Sequence, residues 1–163
     1  MLEPLQAIRD ITRALSSAPI AHWLFGGWAI DFHLGVVTRH HDDIDMLIWS
    51  VDTPKLMAVL QNHTFTLTAT MPEHLYFEKY NQRIEISFIE RNHLGQIITP
   101  GRWAAWPWAS DAFVAGEREL YGVRCPVTSL QSVLETKREF QAHAANRLRE
   151  KDRLDLARIA EVD

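Results

Sequence analysis

RHHDDIDMLIW (residues 39–49) sets three aspartates within four residues, directly ahead of an apolar run. Buried charge is costly unless it is paired or bound to something, so acids at the start of a core strand need a partner. Asp43 and Asp45 are two apart, which in a strand points both side chains to one face. Ile44, Met46 and Ile48 then face the other way, where helices pack.

A second strand is expected in RIEISFIE (83–90), with Ile84, Ile86 and Phe88 alternating against Glu85, Ser87 and Ile89. Beside the first strand, it adds Glu85 to the two aspartates on one open face. Three clustered carboxylates raise one another's proton affinity. A hard cation such as Mg²⁺ relieves that repulsion and also takes phosphate oxygens, as a nucleoside triphosphate site requires. A blander arrangement caps a turn with Asp42, pairs Asp43 and Asp45 with Arg39 or Arg83, and leaves Glu85 in solvent. Gly26 and Gly27 precede a short helix whose free N–H groups suit phosphate, although paired glycines also serve tight turns.

The chain has 163 residues, 47% hydrophobic and 23% charged, which suits one compact soluble domain. A net charge of -4 argues against a basic surface for nucleic acid. Cys125 is the lone cysteine, so neither a disulfide framework nor a thiolate metal cluster is expected. The amino terminus carries early acids and lacks a signal-peptide pattern, and no run nears the ~20 apolar residues of a membrane span. A cytoplasmic protein with no membrane partner is the expectation.

Outward from the acids, apolar spacing predicts a helix over 3–16, an extended IAHWLF (20–25), and a two-turn helix in WAIDFHLG (28–35) ending at Gly35. Thr53 and Pro54 predict a capped helix to about residue 62. TFTLTAT (64–70), HLYFEKY (74–80) and GQIIT (95–99) read as strands, and ELYGVRCPV (119–127) as a short extended piece. Thr128 is expected to cap a helix through 140, and a last helix covers roughly 147–161. The order is α+β, a mixed sheet covered on one face by helices. Residues 1–163 are expected to form a single domain, with 128–163 as packed C-terminal helices. RWAAWPW (102–108) is too irregular for a strand; its tryptophans suit a core, a pocket wall or a subunit contact.

FGGWAIDFHLGVVTRHHDDIDMLIW (25–49) resembles the signature of the small antibiotic nucleotidyltransferases, of the aminoglycoside-2''-adenylyltransferase and lincosamide nucleotidyltransferase types. Gly26 to Asp31 resemble the first half, GGWAID, and Thr38, Arg39, His41, Asp43, Ile44 and Asp45 the second, TR.H.DID. KDRLDLARI (151–159) is similar to the closing helix motif. The resemblance implies a polymerase-β-like nucleotidyltransferase core and Mg²⁺-dependent transfer of a nucleoside monophosphate from ATP or another NTP to an antibiotic hydroxyl. It implies that Gly26 and Gly27 hold triphosphate, that Asp43 and Asp45 hold Mg²⁺, and that the protein is a homodimer. It also implies a third strand carboxylate; Glu85 has the right parity, as metal ligand, general base or both, although the family often has aspartate there.

Other roles stay open at this level. Arg39 suits a triphosphate oxygen or a pair with Asp42. His41 suits a phosphate or a turn-stabilising hydrogen bond. His40 is expected to be exposed. Asp31 is placed to accept from Thr38 or Arg39. Lys151 suits either the phosphates or an ion pair with Asp155 one turn on, with Lys137 as a rival cation. Acidic acceptor walls have candidates in Glu73, Glu78, Glu90, Glu117 and Glu119. An apolar wall has Tyr76, Trp103, Trp106 and Trp108. Alternatives to antibiotic modification are a nucleotidyltransferase for a protein, RNA or metabolite, and an inactive nucleotide-binding or dimerisation module.

Overall fold

The structure, a computed structural model, describes residues 2–143 and 150–161, the side chains of 140–143 excepted. The elements run α1 (Glu3–Ser17), β1 (His22–Phe25), α2 (Gly26–Leu34), β2 (Asp43–Trp49), α3 (Thr53–Asn62), β3 (Thr66–Thr70), β4 (His74–Lys79), β5 (Gln82–Arg91), β6 (Ile97–Ile98), β7 (Glu117–Leu120), β8 (Val123–Pro126), α4 (Leu130–His143) and α5 (Glu150–Ala160). The expected α+β order holds. The first three residues of the expected last helix, 147–149, lie outside the described residues.

The main sheet has the order β1-β2-β5-β4-β3, with β6 on the far end of β5, and β7 and β8 form a separate hairpin. β2 runs parallel to β5, and the other pairs of the main sheet are antiparallel. A parallel pair needs a long crossover, supplied here by α3 and the β3–β4 hairpin. Tyr80 and Asn81 join β4 to β5 with φ of 52° and 58°, the left-handed pair that matches strand twist in a two-residue hairpin.

Alternation in β2 and β5 places Ile44, Met46, Ile48, Ile84 and Ile86 against Leu5, Ile8, Ile11 and Leu15 of α1 and Leu56 and Leu60 of α3 in one buried cluster. Such side chains each contribute roughly 1.5–3 kcal/mol on burial. α2 belongs to two clusters. Trp28 and Phe32 enter the main core, while Ala29 and Ile30 meet Val133 of α4 and Ile159 of α5. The C-terminal helices are thereby fastened beside the strand end that carries the acids.

Two expected caps are different. Thr53 is the first residue of α3, and its hydroxyl donates backward to the Ser50 carbonyl at 2.7 Å. α4 is capped by Ser129, whose Oγ accepts the Ser132 N–H at 3.1 Å; the Thr128 hydroxyl reaches the Leu24 carbonyl at 3.5 Å instead. In each case adjacent hydroxyl or turn residues compete, and the loop's path decides between them.

Candidate active site

The parallel register sets Asp43 beside Arg83 and Asp45 beside Glu85. One oxygen from each of Asp43, Asp45 and Glu85 lies within 4.8 Å of the others. Burial, and then the charges of Glu85 and Asp43, push the Asp45 carboxyl up to about 7, against the opposing pull of Lys151 and Lys137. Arg83 does little to relieve this, since its Nε is 3.9 Å from Asp43 Oδ1 on a half-exposed side chain. An all-oxygen set of repelling carboxylates fits a hard divalent cation such as Mg²⁺.

Gly26 and Gly27 open α2 directly after β1. Gly26 has φ +70°, and a Cβ there would stand 2.6 Å from Asp45 Oδ2. At Gly27 a Cβ would collide with the His41 ring and come within 2.7 Å of Arg39 Nη2. The pair therefore lets the site's own side chains lie against the helix start.

Asp31, fully buried on α2, organises the loop before β2. Its Oδ1 accepts the Thr38 N–H at 3.2 Å and the Thr38 hydroxyl at 2.6 Å, and its Oδ2 accepts from His41 Nε2 at 2.6 Å. This leaves His41 Nδ1 on the Gly27 side. His40 is exposed, 3.6 Å from Asp42.

Arg39 pairs with Asp155 of α5 rather than with Asp42. Its Nε donates to Oδ1 at 2.8 Å and its Nη2 to Oδ2 at 2.7 Å. Lys137 of α4 lies 2.8 Å from Asp152 Oδ1 and 2.9 Å from Asp155 Oδ2. With Asp155 occupied, the expected Lys151–Asp155 pair is absent, and Lys151 makes no ion pair among the described residues.

Gly26, Gly27, Arg39, His41, Asp43, Asp45, Glu85 and Lys151 all line one cleft of about 590 Å³, within the usual range for small-molecule sites. Trp103, Trp106 and Trp108 form part of its wall. The Trp108 indole N–H donates to Thr99 Oγ1 at 2.9 Å, and its ring meets Phe25 edge-on at 6.2 Å. Outside the carboxylate cluster the acidic lining residues are Asp42, then Glu135 and Glu139 of α4, and Asp152 of α5; Glu73, Glu78, Glu90, Glu117, Glu119 and Tyr76 are not among the lining residues. Sequence reasoning also missed His74, whose parity with Glu85 becomes readable only once the β4–β5 register is known. Cys125 is buried, and burial pushes its thiol up to about 12, which removes it as a nucleophile.

The family model of the aminoglycoside-2''-adenylyltransferases matches residues 7–159, nearly the whole chain. The chain belongs to this family. Among curated proteins, a 2''-aminoglycoside nucleotidyltransferase of Escherichia coli is 41% identical over 54 residues, 33% of this chain and 30% of the relative's length. One from Klebsiella pneumoniae is 51% identical over 39 residues, 24% of this chain and 22% of that relative. In these comparisons the chain spans less than a third of the curated relatives' length.

Solved structures resemble this adenylyltransferase-family chain along its length. ANT(2")-Ia in complex with adenylyl-2"-tobramycin superposes with a TM-score of 0.74 at 19% identity, covering 99% of this chain and 92% of that one. The lincosamide antibiotic adenylyltransferase LnuA, lincomycin-bound, gives 0.74 at 22% identity, covering 100% and 99%. The shared architecture is the polymerase-β-like nucleotidyltransferase core implied by the sequence resemblance. Among the described residues no helix is long and apolar enough to cross a membrane.

Proposed function

We propose that residues 1–163 act as one nucleotidyltransferase domain, transferring a nucleoside monophosphate from an Mg-bound NTP, with ATP first, to a hydroxyl of an aminoglycoside or lincosamide antibiotic. The observation that carries this reading is the Asp43–Asp45–Glu85 cluster, set in the same cleft as the α2 amino terminus and Lys151. The curated relatives' names and the solved ANT(2")-Ia and LnuA complexes support an antibiotic acceptor.

Asp43 and Asp45, with Glu85, would hold the metal, which supplies charge neutralisation of the triphosphate and leaving pyrophosphate. The N–H groups at Gly26 and Gly27 would face phosphate, at the positive end of the helix dipole. Lys151, with no ion-pair partner among the described residues, adds a cation to the cleft, and His41, oriented by Asp31, lines the same cleft. Arg39 is committed to Asp155, so its contribution to nucleotide binding is to hold the loop and helices in place. Glu85 takes the acceptor hydroxyl proton while that oxygen bonds to the α-phosphorus and the bond to pyrophosphate breaks. The tryptophans would flank the acceptor, and Glu135 and Glu139 would favour amino groups on it. The cytoplasm, where the NTP and acceptor meet, is the proposed setting.

A homodimer belongs to the same proposal. Its support is exposed apolar surface at Val51 and Val114, near in sequence to Trp49 and Phe113, whose rings both meet Trp23. Light scattering on the purified chain should return twice the monomer mass; a monomer at working concentration would remove it.

The functional test is pyrophosphate release with Mg²⁺ and each of the four NTPs against aminoglycosides and lincosamides, with mass spectrometry of the acceptor. An acceptor-dependent nucleotidyl adduct, abolished in Asp45→Asn, is the expected result. Mg-dependent NTP binding with silence towards every antibiotic would overturn the acceptor assignment and leave a nucleotidyltransferase for a protein, RNA or metabolite, or a binding module.

A further inference from the structure

Glu85 has one more methylene than an aspartate, so its carboxylate has more rotamers to lose before it can act at one place. The structure contains a device for holding it. His74 sits on β4 opposite Ser87, with Tyr76 opposite Glu85, so the imidazole is the diagonal neighbour of the glutamate on one sheet face. Its Nδ1 lies 2.9 Å from Ser87 Oγ and 3.2 Å from Glu85 Oε1. Among the described residues no other side chain is in ion-pair contact with Glu85. The ring is braced in turn by Tyr76, at a centroid distance of 6.2 Å, and the Tyr76 face carries the Arg83 guanidinium at 4.4 Å. His74, Glu85 and Ser87 all line the cleft.

We propose that His74 is a positioning residue for the transfer reaction, its Nδ1 side, anchored on Ser87 Oγ, lying against Glu85 Oε1 as a charge contact so that Oε2 is the oxygen free for the acceptor hydroxyl. This rests on the nucleotidyltransfer reading and deepens it. An ionised carboxylate only accepts hydrogen bonds, so the 3.2 Å approach is favourable with the proton on Nδ1. Ser87 Oγ is the hydrogen-bond partner of that N–H, and Nε2 is left as the acceptor nitrogen. A histidine that merely packs between strands carries no such requirement for its tautomer.

Two measurements decide it. The first is the tautomer, read from long-range proton–nitrogen spectra of the imidazole in metal-free protein. The Nδ1–H form is expected in the wild type, and the Nε2–H form should gain population in Glu85→Ala. The second is kinetic. His74→Ala should lower kcat about 10- to 100-fold, the scale on which small misplacements act, with KM for the NTP within about 2-fold. His74→Asn, which keeps an N–H donor near the Nδ1 position, should recover most of the loss. In a Glu85→Asp background, whose shorter arm falls away from the imidazole, His74→Ala should have little further effect.

An Nε2–H tautomer in the wild type would overturn the proposal. So would equal losses in the Ala and Asn variants, or full additivity with Glu85→Asp. A wild type silent with every acceptor would remove the transfer reading; the tautomer and its response to Glu85→Ala would still decide whether His74 holds Glu85.

Discussion

Gly26, the first residue of α2, and Gly35, just past its end, are both left-handed glycines, with φ of +70° and +75°, yet they are surrounded differently. A Cβ on Gly35 would meet nothing within 4 Å, whereas one on Gly26 would press on the Asp45 carboxylate. Alanine at either position carries a left-handed backbone penalty of about 1–2 kcal/mol. Gly26→Ala must in addition displace a proposed metal ligand. The expected result is a similar fall in thermal midpoint for both variants, with acceptor-dependent kcat lost by at least about 100-fold only in Gly26→Ala. Equal activity in the two would show that the glycine serves the turn alone. The acids and the glycine pair were legible in the sequence because residue type and short spacing carry their geometry. His74 was not legible, because nothing local to it announces a partner on the next strand. The bond between Thr38 and Asp31 was legible, seven residues apart, whereas the bond between Arg39 and Asp155 spans 116 residues.

Elements were readable wherever periodicity was long or punctuated: the apolar stripe of α1, the alternation of β2 and β5, and Gly35 closing α2 through its N–H to the Asp31 carbonyl at 2.8 Å. Pairing between elements was not readable in detail. The parallel β2–β5 register depends on the crossover, and the docking of α4 and α5 depends on charges far apart in the chain. Asp155 is the centre of that docking. Burial would raise its carboxyl, but hydrogen bonds from Arg39 and Lys137 outweigh this and hold it below the usual value. Asp155→Ala strips Arg39 of its carboxylate partner and leaves Lys137 with Asp152 alone, and removing one partner of a buried pair costs about 3–5 kcal/mol. At ~2–4 °C per kcal/mol for a chain of this size, a drop of roughly 10 °C in the thermal midpoint is expected. Arg158→Ala, which breaks the exposed Arg158–Glu161 pair of the same helix, should change stability by less than about 1 kcal/mol. Comparable losses in the two variants would deny Asp155 its role as the fastener of α5 to the Arg39 loop.

At the scale of the molecule, the acid cluster sets function against stability. Asp45 has its folded pKa raised from 3.8 to about 7, first by burial and then by Glu85 and Asp43. A raised folded pKa contributes stability that is complete below the unfolded value and is lost as pH climbs through the folded one. Metal-free protein should therefore lose the Asp45 contribution progressively between about pH 4 and pH 7. Buried His22 and His33 act in the opposite sense. Burial depresses both, so their contribution is lost as pH falls through their folded values. Those histidines are common to wild type and Asp45→Asn, so the difference between the two proteins isolates the carboxylate. In the absence of metal, Asp45→Asn should be the more stable at pH 7.5 by about 1–3 kcal/mol, since each tenfold change in proton affinity on folding is worth about 1.4 kcal/mol. The margin should shrink towards pH 4. Added Mg²⁺ binds the ionised cluster and stabilises by mass action. It should raise the wild-type midpoint at pH 7.5 and leave the variant nearly unmoved. Thermal unfolding of both proteins across pH 4–8, with and without Mg²⁺, measures all of these at once. If Asp45→Asn is instead the less stable at every pH, or if Mg²⁺ moves both midpoints equally, the three carboxylates are an ordinary hydrogen-bonded cluster and not a seat for a cation.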